Sequence, residues 1–257
     1  MGSFNEKIIL ITGGSSGIGK ATAEKFAKEN AKVFICGRNE EKLYSVKEDF
    51  IKNGLSIEVI SGDISKVAQC EKIIHQVIGK SNQLDILVNC AGTHIEGNSD
   101  TMTEEMWDTV MDTNLKGTFF MIRYAIPFLE KTQGCIVNVS SDAGLVGNSE
   151  TALYCASKGG VTLLTKALAV ELQARGIRVN AVCPSEVDTP MLDAYIDEVG
   201  ISKEECLAQT LQHYPAGANR FIKPEEVAES IVFLASPSTK AINGACLSID
   251  FGLTAGY

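Results

Sequence analysis

The apolar residues of this chain fall in short β-rich runs separated by longer stretches of helical period. Residues 7–12, 32–36, 56–61, 84–89, 135–140, 177–182 and 245–249 read as strands, dense in Ile, Val, Leu and Cys. Runs this apolar suit strands covered on both faces, as in a parallel sheet. Residues 17–29, 40–52, 66–80, 102–131 and 151–175 space their apolar positions as amphipathic helices do, and another helix opens at Pro224. The alternation of strand and helix predicts an α/β fold, a doubly wound parallel sheet of about seven strands with helices on both faces. No linker, repeat or low-complexity tract interrupts the rhythm, so residues 1–257 are expected to form a single domain. One insertion breaks the pattern. Residues 185–215 separate the sixth strand from the helix at Pro224, and a segment of that length beside a rigid sheet suits a substrate-binding lid or a purely structural excursion.

Charge narrows the partners. The 257 residues carry 23 Lys and Arg against 32 Asp and Glu, a formal net charge of −9. That average field repels nucleic acid, and no Lys/Arg cluster overrides it locally. No stretch reaches the roughly 20 apolar residues that cross a bilayer. The start, Met1-Gly2-Ser3-Phe4-Asn5-Glu6, lacks the basic and apolar regions of a signal peptide, and Glu6 stands where a myristoylation motif wants Ser or Thr. A cytoplasmic protein is expected. Eight cysteines are scattered without a CxxC pair, which predicts buried thiols rather than a metal site or a disulfide framework.

The first strand runs into Thr12-Gly13-Gly14-Ser15-Ser16-Gly17-Ile18-Gly19, and helical period begins at once. Glycines there let the backbone turn sharply and approach a pyrophosphate, whose charge meets free N–H groups at the helix start. The spacing is G-x3-G-x-G, a departure from the G-x-G-x-x-G fingerprint of Rossmann-type dinucleotide sites. Gly13, Ser15, Ser16, Gly17, Ile18 and Gly19 are the candidate phosphate loop. An acidic residue at the end of the second strand would bind the ribose hydroxyls of NAD. This chain has Cys36-Gly37-Arg38-Asn39 instead. An Arg at that place accepts a 2′-phosphate through paired donors, so NADP(H) is favoured over NAD(H), with Glu40 and Glu41 as nearby opposing charges. Asp63 follows the third strand, with Ile64 beside it, and is placed to meet the adenine edge.

Tyr154 and Lys158 lie four apart in a helical stretch and project from one face. A phenol titrates near about 10, too high for a base at neutral pH, and a neighbouring ammonium is expected to bring it down. Ser140-Ser141 closes the fifth strand, at the end that faces the ligand crevice.

In these motifs the chain resembles the classical short-chain dehydrogenase/reductase family along nearly its whole length. The matches are Thr12-Gly13-x3-Gly17-x-Gly19, Asn89-Cys90-Ala91-Gly92, Asn114, Ser141 and Tyr154-x3-Lys158, with the family's interval of 13 positions selecting Ser141 over Ser140. The resemblance implies Tyr154 as general acid/base, and Lys158 lowering its pKa while holding the nicotinamide ribose. It further implies Ser141 bonding the reacting oxygen and Asn114 supporting a proton-relay water. It extends the cofactor site to Asn89, Ala91, Gly92, Pro184, Val187 and Thr189. Three departures stand out: Cys90 for an Asn, Pro184-Ser185-Glu186 for the usual Pro-Gly, and Asp250-Phe251-Gly252 near the C-terminus. The second puts a carboxylate beside the expected nicotinamide pocket.

The implied reaction interconverts a carbonyl and a secondary alcohol by hydride transfer; a dinucleotide-binding sensor without turnover is the alternative. Residues 185–215 hold Glu186, Asp188, Asp193, Asp197, Glu198, Glu204 and Glu205 against Lys203 alone. An anionic substrate should be repelled there, so a small neutral substrate is expected, touched by Ser141, Asp142, Leu145, Glu150, Met191 and Tyr195. His94 is a further candidate for that pocket. The resemblance also implies a homo-oligomer, a tetramer or dimer, built through the helices that carry Asn114 and Tyr154.

Overall fold

Successive side chains of a strand point to opposite faces, so β1 (Ile8–Thr12) sends Ile9 and Ile11 to one side and Ile8 and Leu10 to the other, all buried. This pattern repeats in the central strands of the chain, for which the computed structural model describes residues 4–256. The reading of the start at Met1-Gly2-Ser3 lies outside the described residues. The remaining strands are β2 (Lys32–Gly37), β3 (Ile57–Ser61), β4 (Ile86–Asn89), β5 (Cys135–Val139), β6 (Arg178–Pro184) and β7 (Cys246–Ile249). They form one sheet in the order β3-β2-β1-β4-β5-β6-β7, with every neighbouring pair parallel.

The helices are α1 (Gly17–Lys28), α2 (Glu40–Lys52), α3 (Val67–Ser81), α4 (Glu104–Met111), α5 (Thr118–Thr132), α6 (Ala152–Leu172), α7 (Pro190–Val199), α8 (Lys203–Leu211) and α9 (Pro224–Ala235). Phe26 of α1, Leu43 and Phe50 of α2, and Ile231 and Leu234 of α9 cover the Ile9–Ile11 face. Ile73 and Ile74 of α3, Met121 and Leu129 of α5, and Leu168 of α6 cover the face of Ile8 and Leu10. The doubly wound sheet expected from the alternation is therefore the observed fold. Between β1 and β4 the chain order reverses, and the diverging loops leave a crevice at the carboxyl ends of the strands.

Two helical expectations change. The stretch 102–131 is not one α-helix: α4 passes through a π-helical turn at Asp112–Gly117 before α5 begins. Such a turn accommodates an extra residue without breaking the hydrophobic stripe, and it commonly marks functional positions. The insertion at 185–215 contains α7 and α8, which gather Leu192, Ile196, Cys206 and Phe221 into a small core of their own. Its acids are not all unpaired, since Lys203 forms ion pairs with both Asp188 and Asp193. No described helix is long and apolar enough to cross a membrane.

Candidate active site

The crevice begins where β1 ends. Gly13 adopts φ +67, a left-handed conformation that glycine takes without steric cost. A Cβ there would lie 2.8 Å from the Ala91 Cα, so the β1 and β4 loops approach as closely as their backbones permit. Thr12 locks them together, its Oγ1 accepting from the N–H groups of Cys90 (3.1 Å) and Ala91 (3.0 Å). A Cβ on Gly19 would overlap the Gly13 carbonyl oxygen. Both glycines are required by packing.

The N-terminus of α1 is built to receive an anion. Its N-cap Ser16 makes no side-chain capping bond, and no acidic residue stands in the first turn. By contrast, α2 is closed by the Asn39 side chain and carries Glu40 and Glu41 in its first turn. The α1 N–H groups therefore face a cleft of about 230 Å³ lined by Gly13, Ser15, Ser16, Gly17, Ile18 and Gly19. Arg38, Asp63, Ile64, Ala91, Gly92 and Thr189 also line it. The residues present fit a dinucleotide: uncapped helix N–H groups for the pyrophosphate, and an exposed Arg38 that pairs with no acidic residue among those described. Glu40 and Glu41 do not neutralise it.

Three expected cofactor residues have other partners. Asn89 is buried and donates its Nδ2 to Asn138 Oδ1 (2.9 Å), Val187 packs into the core, and Pro184 is buried at the end of β6. None of their side chains lines the cleft. Cys36, Gly37, Gly62, Cys90, Thr113 and Pro190 also line it, though none was among the expected cofactor residues. The rule that ligands gather at strand carboxyl ends would have found Gly37 and Gly62. Met191, expected against the substrate, lines this cleft.

Beyond the cleft stand the residues expected to be catalytic. Tyr154 and Lys158 project from α6, whose second turn buries the Lys158 side chain until its Nζ donates to Val139 O at 2.9 Å. The Nζ lies 5.6 Å from the Tyr154 ring centroid. Burial pushes Lys158 down to about 8. The phenol, expected to be acidified, is pushed well above its ordinary value. Burial dominates; the Glu186 and Asp142 carboxylates add to it, against an opposing contact from Ser141. The Lys158 ammonium, turned to the Val139 carbonyl, does not offset that burial. Tyr154 is therefore a protonated phenol at rest.

Ser141 donates its hydroxyl proton to Asp142 Oδ1 at 2.7 Å, so it presents a lone pair to its surroundings rather than a donor. Asp142 is buried and also accepts from the Ala143 N–H (2.8 Å). Asn114, placed by the π turn, has both amide N–H groups engaged by protein. Its Oδ1 accepts from Thr93 N (2.8 Å), and its Nδ2 donates to Thr93 O (2.9 Å) and Ser157 Oγ (3.0 Å). The imidazole of His94, next along that loop, lies 4.6 Å from the Tyr154 ring centroid at an interplanar angle of 88°.

Glu186 is open to the crevice, and the surrounding protein, with Asp142 and Glu96, pushes its carboxyl up to about 7. Its backbone N–H donates to Tyr214 Oη (3.2 Å), and that hydroxyl donates to Ser185 Oγ (2.5 Å). Tyr195 is partly buried against the small core of α7 and α8, with its phenol raised by burial first and then by Glu96. Leu145 and Glu150 are exposed, and the Glu150 carbonyl accepts from Gly97 N (2.7 Å). Glu96, which no motif singled out, belongs to this acidic wall through its effects on Glu186 and Tyr195.

Comparison with known proteins agrees with this geometry. The family model for short chain dehydrogenase matches residues 7–199. The 3-oxoacyl-acyl-carrier-protein reductase FabG of Thermotoga maritima is 39% identical over 248 residues, 96% of this chain and 97% of the relative. The meso-2,3-butanediol dehydrogenase of Serratia marcescens is 35% identical, covering 98% of this chain and 96% of the relative. Among solved structures, actinorhodin polyketide ketoreductase with NADPH superposes with a TM-score of 0.90 at 35% identity, over 98% of this chain and 99% of that one. The chain belongs to the short-chain dehydrogenase/reductase family of oxidoreductases.

Proposed function

We propose that this protein is an NADP(H)-dependent oxidoreductase that interconverts a carbonyl and a secondary alcohol on a small, neutral substrate, with Tyr154 as general acid/base. The observation that carries this reading is the uncapped helix N-terminus at one end of a cleft whose Gly92 lies beside Lys158, with Lys158 and Ser141 buried and Tyr154 half-buried next to them. When bound, the dinucleotide supplies the hydride. Ser15 and Arg38 hold its 2′-phosphate, the α1 N–H groups hold its pyrophosphate, and Asp63 and Ile64 flank the adenine. The preference for NADP(H) over NAD(H) rests on the unpaired Arg38, and the related ketoreductase whose structure contains NADPH supports it.

Tyr154, kept protonated by burial, donates its proton to the carbonyl oxygen in the reductive direction. Lys158 uses one donor on Val139 O and has two left for the nicotinamide ribose. Ser141 turns its hydroxyl from Asp142 to the reacting oxygen once substrate arrives. Residues 185–215 act as the lid, and the acids Glu96, Asp142 and Glu186 disfavour an anionic substrate. The protein works in the cytoplasm as a homo-oligomer. An apolar groove of about 690 Å³ between α5 and α6, where Phe119 and Leu163 are exposed, is the surface through which copies pair.

The test is turnover of matched neutral and carboxylated ketones with NADPH and with NADH at low salt. Faster oxidation of NADPH with neutral ketones is expected. Equal efficiency on carboxylated ketones would remove the neutral-substrate argument, and failure to bind either dinucleotide would remove the function.

A further inference from the structure

The phenol of Tyr154 needs a fixed direction, and the hydroxyl of Ser141 beside it leaves the ring itself unheld. Ser141 gives its proton to Asp142, and Lys158 gives one of its own to Val139 O. What bears on the ring itself is the imidazole of His94, nearly perpendicular and 4.6 Å away between centroids. Aromatic pairs favour this edge-to-face arrangement because the positive rim of one ring meets the negative face of the other.

The loop that carries His94 is held at three places. Thr12 Oγ1 accepts from Cys90 N and Ala91 N at its start. Asn114 clamps both the N–H and the C=O of Thr93, the residue before the histidine. Gly97 N donates to Glu150 O at its end (2.7 Å). The same Asn114 amide reaches Ser157 Oγ, which donates to the Tyr154 carbonyl (2.8 Å). One side chain therefore ties the histidine loop and the tyrosine's own helical turn together. Burial holds His94 below its ordinary value, with Lys158 acting in the same direction and Glu198 of α7 against it, so the ring meets the phenol as neutral imidazole.

We propose that His94 is a positioning residue: the Asn114-clamped loop presses its ring against Tyr154 and so fixes where the phenol hydroxyl points. This rests on the reading of Tyr154 as the acid/base. Small misplacements of a reacting group are costly to rate, while binding elsewhere in the crevice is untouched. His94 thus acts on the proton-transfer step and not on dinucleotide affinity.

Two variants and two readouts test this. His94→Ala removes the ring, and His94→Phe keeps an aromatic partner without ring nitrogens. With a neutral ketone and NADPH, His94→Ala is expected to lower kcat by roughly tenfold or more, with KM for NADPH unchanged within about twofold. His94→Phe is expected to return kcat to within about threefold of the wild-type protein. In cofactor-free protein labelled with ¹³C-tyrosine, the Tyr154 ring resonances, assigned with Tyr154→Phe, should move in His94→Ala and stay near their wild-type positions in His94→Phe. Unchanged kcat in His94→Ala, a phenylalanine variant no better than alanine, or Tyr154 resonances indifferent to His94 would each overturn the inference. Absence of any NADPH-dependent turnover in the wild-type protein would instead remove the acid/base reading, while the resonances still report whether the rings meet.

Discussion

Asn114→Ala is the most informative single truncation. Asn114 is 1% exposed, and three hydrogen bonds of 2.8 to 3.0 Å end on its amide. Removing it leaves the Thr93 N–H and C=O without partners, whereas Ser157 keeps its bond to Tyr154 O. A buried polar group left unpaired costs about 1–3 kcal/mol, and water entering the polar space recovers part of it. The expected loss is about 2–4 kcal/mol of unfolding free energy. Asn114→Asp sharpens the test: it keeps an acceptor for Thr93 N but loses both donations and buries a charge against Thr93 O. Burial raises the introduced carboxyl above its unfolded value, so this variant binds protons more readily folded than unfolded. Its stability should therefore fall as pH rises through that window and recover in acid. Urea unfolding followed by the single tryptophan, Trp107 of α4, at fixed protein concentration and at pH 5.5 and 8, measures both. A loss below about 1 kcal/mol in Asn114→Ala, or an Asp variant equal to the wild-type protein at pH 8, would show that the clamp carries no weight.

Other consequences concern the cofactor cleft and the acidic wall. Arg38→Ala should raise the NADPH Kd by about 10- to 100-fold through loss of charge-assisted bonds and leave NADH within about threefold, read by fluorescence titration; an unchanged ratio would exclude Arg38 as the phosphate anchor. Gly19→Ala forces a Cβ into the Gly13 carbonyl and should cost about 1–3 kcal/mol and weaken both dinucleotides together, an effect absent if the loop simply shifts. Glu186, exposed within the crevice, is held up to about 7 by desolvation from the surrounding protein and by Asp142 and Glu96, against about 4.3 in an unfolded chain. A raised carboxyl makes the wild-type protein lose stability as pH climbs between those values. The Tm advantage of Glu186→Gln should accordingly grow from pH 5 to pH 8, and a constant difference would contradict the assignment.

Much of the architecture was legible because the strands at the middle of the sheet are buried runs and each covering helix shows one apolar stripe. The ends of β1 and β4 were legible for another reason: Gly13, Gly17 and Gly19 are required wherever the backbone must approach a phosphate. The π turn at Asp112–Gly117 escaped, since one additional residue leaves the apolar spacing on either side intact. Spacing also could not show which partner a side chain chooses. Lys158 reads as an ammonium beside a phenol, yet folding carries it to Val139 O and desolvates it. Ser141 reads as a donor to substrate, but Asp142, the next residue, takes its proton. Asn89 and Val187 matched a motif, and the fold engages their side chains in the interior. His94 meets Tyr154 across 60 positions of chain, a contact that arises from the closure of two separate loops.

Tyr154→Phe, studied by direct NADPH titration alongside single-turnover ketone reduction, separates proton transfer from dinucleotide binding. Removing the hydroxyl should reduce the rate by about 10²- to 10⁴-fold while the Kd for NADPH stays within about threefold. A variant that keeps more than about a tenth of the rate would show that the proton comes from elsewhere in the crevice.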